Sequence, residues 1–369
     1  MTRIFRSPSK YVQGIDELAR LYEHLAPLGK SALFLVSEGG RKRCDPIINE
    51  GMEGKDFRYD YYKFQGECCY NTVKELEQII NDFSYEIIVG IGGGKILDTA
   101  KAVSFYAGIP VVIIPTVAST DAPCSALSVL YHEDGIFDRY LFLAQNPNLV
   151  LVDSKVIVKA PTRLFVAGMG DALSTYFEAR AVQKSGKNNQ VGAKPCIAGF
   201  AMAKTCYQIL LRDGLEAKTD VEKGACSILV ENIIEVNTYL SSVGFESGGL
   251  AAAHALQKGL TLIPELHQVY HGEKVAFCTL VQLVLENSPI LEKTQVLKFC
   301  KKVGLPVCFV DMGISRPPRE VLMKVAEKAC AEGSTINNMP FVVTPQDLCE
   351  AIMVADEMGQ AERNPIENL

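Results

Sequence analysis

The segment Glu86-Ile87-Ile88-Val89-Gly90-Ile91-Gly92-Gly93-Gly94-Lys95 constrains the fold of this chain more than any other. An apolar run of strand length passes through clustered glycines into a helix-period stretch, Lys95 to Tyr106. Such a strand-to-helix turn opens a βαβ unit, in which the helix crosses back to a parallel strand. Glycines there let the backbone approach a phosphate closely, and the helix start offers free N–H groups and the positive end of its dipole. Lys95 adds a charge, and Asp98 stands one turn further in. The match to known phosphate loops is partial. Ile96 follows Gly94-Lys95 where a Walker A loop has Ser or Thr, and Lys95 takes the last glycine position of a G-x-G-x-x-G pattern. A glycine-rich turn that binds nothing remains the plainer alternative.

The alternation continues on both sides. Ser31–Val36 and Ile109–Ile114, the latter ended by Pro115, read as buried strands, and Asn71–Asp82 has helical apolar spacing at Val73, Leu76, Ile79 and Ile80. Asp134-Gly135 lies between Ala126–Tyr131 and Arg139–Leu143, which predicts a β-hairpin, and Leu149–Val152 predicts one more strand. After about Ala160 the pattern is helical: Ala167–Gln183, Lys194–Leu211, Val221–Val243, Glu273–Glu286, Leu291–Val303 and Pro318–Glu332. The 369 residues suit two domains. The expected division is 1–160, an α/β domain with a parallel sheet, and 161–369, an all-α domain, with the boundary near Lys159–Thr162 where Pro161 interrupts.

Composition narrows the partners. The net charge of −6 argues against nucleic acid and anionic membranes. Met1–Lys10 lacks the apolar stretch of a signal peptide, and no apolar run approaches the ~20 residues needed to span a bilayer. A cytoplasmic protein is expected. The twelve cysteines are scattered, with no CxxC pair and one adjacent pair, Cys68-Cys69, which predicts free thiols rather than disulfides.

Two further regions carry chemistry. The loop Pro115 to Ser125, after a strand, is rich in hydroxyls and contains Asp121; it suits phosphate, ribose or a polyol, and equally a simple turn. Among only five histidines, His254 lies in the small-residue run Gly248–Leu256, and His271 precedes Gly272-Glu273-Lys274-Val275, a helix start. With Asp171, which follows Gly170, they offer two imidazoles and a carboxylate, a zinc pattern with an open fourth position. Two other readings stay open. His267 and His271 are four apart and would share a helix face, and a single histidine in an Ala-rich helix is often only a hydrogen-bonded core residue. His24 and His132 lie in polar settings.

The segments Gly92-Gly93-Gly94-Lys95-x-x-Asp98, Pro115–Tyr131, Gly170-Asp171-Ala172-Leu173, Gly244–His254 and Tyr270–Val275 together resemble the glycerol dehydrogenases, within the iron-containing-type alcohol dehydrogenase superfamily. The resemblance covers nearly the whole chain in the right order. It implies a Rossmann-like α/β N-terminal domain, an all-α C-terminal domain and an active site in the cleft between them. It implies Zn2+, one per subunit, on Asp171, His254 and His271, and an NAD site lined by Gly93, Gly94, Lys95, Asp98, Thr116, Ser119, Ser125, Leu127 and Tyr131. It further implies Asp121 as a contact to a small polyol, and homo-oligomers, commonly octamers. The expected activity is reversible NAD-linked oxidation of glycerol and related vicinal diols to the ketone, with Asp171 and His254 also facing substrate.

Two positions depart from the pattern. Iron-dependent relatives carry a histidine ligand one turn after the aspartate, where this chain has Thr175; three ligands with an open position suit zinc. Many glycerol dehydrogenases hold the adenosine ribose with an aspartate after the first long strand; here Ser37 stands there, followed by Glu38, which bears on the choice between NAD and NADP. A dehydroquinate-synthase-like lyase would share metal and nucleotide but would need clustered Lys and Arg, and none lies beside His254 or His271 in sequence. A dinucleotide- and metal-binding protein without catalysis is the other alternative.

Overall fold

The apolar runs become strands in the computed structural model, which describes residues 1–363. In chain order they are β1 (Tyr11–Gly14), β2 (Ser31–Val36), β3 (Arg58–Lys63), β4 (Ile87–Gly92), β5 (Val111–Pro115), β6 (Leu127–Tyr131), β7 (Phe137–Phe142) and β8 (Leu149–Asp153). Six of them form one parallel sheet in the order β1-β8-β5-β4-β2-β3. β2, β4, β5 and β8 are buried along their whole length, which explains why they read as continuous apolar runs. Leu18, Phe34, Ile48, Val89 and Leu151 belong to the core on one side of this sheet. β6 and β7 pair antiparallel as a separate hairpin.

The strand order creates a switch point. The chain leaves β2 toward β3 on one side and leaves β4 toward β5 on the other, while β2 and β4 are neighbours. The loops beyond their carboxyl ends therefore diverge, which opens the crevice where such sheets bind ligands. The register sets which residues emerge there. Val36 pairs with Ile91, and Gly92 pairs with Pro115, so Ser37, Gly93 and Thr116 leave the sheet side by side. The Thr116 N–H donates to the Gly92 carbonyl at 3.0 Å and ties two of these loops together.

The chain divides into two units. One contains Arg6–Phe165 and Asp220–Ser242 and holds every named strand; the other contains Met1–Phe5, Val166–Thr219 and Val243 onward and is helical. Its helices include Ala252–Leu260, His271–Leu285, Ile290–Val303, Arg319–Ala329 and Pro345–Arg363.

One expected element is replaced. Val221–Val243 is not a single helix. The long helix Ile197–Glu222 stops where Gly224 adopts φ +70°, a left-handed conformation that suits glycine. Ser227 then caps a new helix, Ile228–Glu235, by accepting the Val230 N–H at 3.3 Å. A π-helical turn, Val236–Leu240, leads into the helix Ser241–Gly248. Other elements lacked a clear sequence signal: β1, β3, and the helices Glu38–Met52 and Pro345–Arg363. All twelve cysteines are free thiols, as expected. No helix among the described residues is long and apolar enough to cross a membrane.

Candidate active site

Asp171, His254 and His271 come from three helices and converge. Asp171 lies within the helix Thr162–Ser185, His254 in the first turn of Ala252–Leu260, and His271 opens His271–Leu285. Their ligand atoms all lie within 4.8 Å of one another. The Nε2 atoms of His254 and His271 stand 3.5 and 3.2 Å from the same Asp171 oxygen, Oδ1. Asp171 is buried, His254 nearly so, and the His271 side chain is 38% exposed, which leaves one side of the cluster approachable.

Close backbone packing holds two of the helices. A Cβ on Gly170 would lie 2.3 Å from the Gly272 carbonyl oxygen, and one on Gly272 would lie 1.8 Å from that of Ala167. No side chain fits at either position, so the glycines beside Asp171 and His271 let the two ligand-bearing segments touch. The Tyr270 N–H donates to Glu273 at 2.8 Å, which fixes the start of the helix at His271.

His254 is anchored by Glu178, which no sequence pattern singles out. His254 Nδ1–H donates to Glu178 Oε2 at 2.6 Å. Glu178 Oε1 accepts the backbone N–H of Ala251 at 2.8 Å and of His254 at 3.1 Å. Gln282 accepts the Ala253 N–H at 3.0 Å and donates to Glu286, which pairs with Arg180. Glu178 lies two helical turns from Asp171 on the same face, the one local signal that could have marked it.

Charge couples the cluster. Burial disfavours a charged His254, but the carboxylates of Glu178 and Asp171 outweigh it and hold its pKa well above the usual 6.5. Burial also pushes Asp171 upward, and the imidazoles of His271 and His254 more than reverse this, leaving it far below the ordinary carboxylate range. Two imidazole nitrogens and a carboxylate oxygen, with one side open, are a donor set fit for a divalent metal. His267, the rival partner of His271, sits in a 3-10 turn, Pro264–Gln268, with Nε2 at 3.2 Å from the Thr261 carbonyl. Thr175 is buried one turn after Asp171.

The glycine loop fits a phosphate. Gly93 begins the helix Gly94–Ala107 without any side-chain cap, and a Cβ on Gly94 would meet nothing within 4 Å. The first N–H groups of this helix are thus uncapped by any side chain. The exposed Lys95 pairs with Glu67. Ser37 caps the helix Glu38–Met52, its Oγ accepting the Gly40 N–H at 3.1 Å, and Glu38 pairs with Lys63 at 2.7 Å and Lys42 at 3.4 Å.

Three further candidate residues of the nucleotide site, Asp98, Ser125 and Leu127, are joined by Lys101, which sequence reading also missed. Its buried ammonium meets Asp98 Oδ1 at 2.9 Å, donates to the carbonyls of Ala122, at 2.9 Å, and Leu127, and lies 3.4 Å from Ser125 Oγ. Asp98 Oδ2 accepts the Val129 N–H at 3.0 Å. Asp98 thus bonds the hairpin directly. Thr116 and Ser125 are buried, Ser119 and Tyr131 half-buried, and burial followed by the nearby Asp98 charge pushes the Tyr131 phenol up to about 12.

Asp121 is held by the 220–242 segment. Ser241 Oγ donates to Asp121 Oδ2 at 3.4 Å, Ser242 Oγ donates to its carbonyl, and Asn237 Nδ2 donates to Ala118 O at 3.0 Å. Asn237 lies in the π-helical turn, a feature often found at functional sites.

A family model described as iron-containing alcohol dehydrogenase matches residues 8–154. Over 98% of both chains, the sequence is 48% identical to the glycerol dehydrogenase of Escherichia coli O6:H1. This chain belongs to the iron-containing alcohol dehydrogenase family. As a member of that family it is an oxidoreductase acting on CH–OH groups. It is also 42% identical to the glycolaldehyde reductase of Halobacterium salinarum, over 99% of this chain and all of that one. The crystal structure of glycerol dehydrogenase from Schizosaccharomyces pombe superposes with a TM-score of 0.94 at 36% identity, covering 100% of this chain and 94% of the other.

Proposed function

We propose that this alcohol dehydrogenase-family enzyme catalyses the reversible oxidation of glycerol and related vicinal diols, using zinc and NAD. The convergence of Asp171, His254 and His271 on one point carries the reading. When bound, the metal would polarise an alcohol oxygen as a Lewis acid, and NAD would accept the hydride.

The residues have distinct tasks in this reading. Asp171, His254 and His271 hold the metal. Zinc suits them because Thr175 offers no fourth strong ligand, which leaves a position for substrate. The N–H groups beyond Gly93, with Lys95, receive the NAD pyrophosphate. Asp98, Ser125, Leu127 and Tyr131 shape the nucleotide side through the hairpin, with Thr116 and Ser119 on the neighbouring loop. Asp121 accepts a hydrogen bond from a substrate hydroxyl, so a diol is preferred over a simple alcohol. A short hydroxyaldehyde, the substrate class in the name of the Halobacterium relative, would use the same groups in the reducing direction. A cytoplasmic homo-oligomer belongs to the same proposal.

The test is the initial rate of NAD reduction with glycerol, on metal-stripped protein and after adding Zn2+ or Fe2+, with NADP in parallel. Turnover restored by Zn2+ is expected. Restoration by Fe2+ alone would replace the metal, and no turnover on any vicinal diol would overturn the substrate class.

A further inference from the structure

Glu178 is fully buried and makes three hydrogen bonds to one short stretch of chain. We infer that Glu178 is the positioning residue of this metal site: it fixes the ring orientation and the tautomer of His254. The inference rests on the reading of Asp171, His254 and His271 as metal ligands.

The atoms require this division of labour. An ionised carboxylate only accepts hydrogen bonds. Glu178 Oε2, 2.6 Å from His254 Nδ1, therefore keeps a proton on Nδ1, so that Nε2 is the nitrogen that can give up its proton to a metal. Nε2 is the atom that faces Asp171 Oδ1. Carboxylate–imidazole pairs of this kind set ligand orientation and basicity at metal centres generally. The second oxygen does a separate task. Oε1 accepts the N–H groups of Ala251 and His254 at the start of a helix whose N-cap, Ala251, has no side-chain oxygen of its own. One buried side chain thus fixes both the backbone that carries His254 and the ring itself. Gln282 holds the intervening Ala253 N–H, so the whole first turn is set from within the helical unit.

Glu178→Gln separates the two tasks. The amide oxygen can still accept the N–H groups of Ala251 and His254. Its NH2 then faces Nδ1, donates to it, and drives the ring proton to Nε2, where it blocks the ligand position. The experiment measures Zn2+ and Co2+ affinity of full-length protein by chelator competition, the visible spectrum of the Co2+ form, and the thermal melt of the metal-free form. For E178Q, metal affinity should fall about 10–100-fold with an altered Co2+ spectrum, and the metal-free form should still unfold in one cooperative step, at a somewhat lower temperature because His254 loses its countercharge. In a His254→Ala background, E178Q should cause no further loss of metal affinity, because the ring it positions is gone. Unchanged affinity in E178Q, or an equal loss with and without His254, would overturn the inference. If the unmodified protein itself binds neither metal, the ligand reading fails instead. Should E178Q not fold, Glu178→Asp decides by the same measurements: weaker metal binding at an unchanged metal-free melt supports positioning, and both falling together, or neither, overturns it.

Discussion

Lys101 and Asp98 form an ion pair at 2.9 Å in which the lysine side chain is wholly shielded from water. A buried ammonium is tolerated only when a countercharge and acceptors surround it. Here Asp98 supplies the charge, and the carbonyls of Ala122 and Leu127 accept the remaining N–H groups. The pair therefore joins the helix behind the glycine loop to the segment 122–129. Lys101→Met should destabilise the protein by about 3–5 kcal/mol, because Asp98 is left buried without its partner. It should also weaken NAD binding by displacing Ser125 and Leu127. Urea unfolding and NAD titration check this; a loss under about 1 kcal/mol would show that the surroundings relax around Asp98 and that the pair is not structural.

Metal binding should be strongly pH-dependent. His254 has a raised pKa in the metal-free protein, so it remains protonated above pH 6.5, and a metal must displace that proton. Affinity should then rise about tenfold per pH unit until the raised pKa is passed. The sign for the metal-free fold is opposite. A raised histidine pKa contributes stability that is fully present below 6.5 and is lost as pH rises through the folded value. Chelator competition and urea melts at several pH values above 6.5 would show the two trends diverging. A pH-independent metal affinity would mean that His254 is already neutral.

Glu38 should bias the enzyme toward NAD. Ser37 is occupied in capping its helix, so the acid at the switch point is Glu38, held by Lys63 and Lys42. These two lysines, with Lys63 at the end of β3, lower the Glu38 pKa and keep it ionised, and its charge offsets theirs. Glu38→Gln leaves both lysines uncompensated beside the expected ribose position, which suits an added phosphate. The ratio of kcat/KM for NADP to that for NAD should rise roughly two- to fivefold, the range of exposed charge pairs. An unchanged ratio would place the adenosine ribose elsewhere.

Asp121→Ala should reduce kcat/KM for glycerol by about 100-fold or more while NAD affinity changes little, because a substrate hydroxyl loses its acceptor and, on the protein side, Ser241 gives up a long bond of 3.4 Å. The carbonyl of residue 121 still accepts from Ser242, so the loop keeps its anchor. Equal losses in glycerol turnover and NAD affinity would make Asp121 a structural residue of the loop.

The sequence disclosed what is contiguous and concealed what is assembled. The strand, turn and helix around Glu86 to Lys95 could be read because they follow one another without a break from Ile87 to Ala107 and the glycines mark the join. Asp171, His254 and His271 were visible as residue types, but 100 positions separate the first from the last, and only the resemblance pointed to their convergence. Glu178 and Lys101 were not visible at all, since a charged residue within a helix normally reads as solvent-facing. The return of Asp220–Ser242 to the sheet-bearing unit had no local signature either. Its contacts, such as Asn237 to Ala118, are long-range hydrogen bonds from side chains that look ordinary in a helical pattern. β1 is four residues long and only partly buried, too short and mixed to show a period.

Two glycines with opposite surroundings give the sharpest contrast between architecture and binding. Gly272→Ala would place a Cβ 1.8 Å from the Ala167 carbonyl oxygen, and backbone cannot yield as a flexible side chain can. The helix carrying His271 must then move away from the helix carrying Asp171, at a cost of about 1–3 kcal/mol or more. Both stability and metal affinity should fall. Gly94→Ala places its Cβ in open space at an uncapped helix start. Its stability should hold or improve slightly, since alanine restricts the unfolded chain. NAD affinity should fall, because the methyl group occupies the approach to the helix N–H groups. Thermal melts, metal competition and NAD titration on both variants separate the cases. Normal NAD affinity in G94A would mean that the pyrophosphate does not approach the backbone at Gly94, and a stable, metal-binding G272A would mean that the two helices have room to separate without disturbing Asp171 and His271.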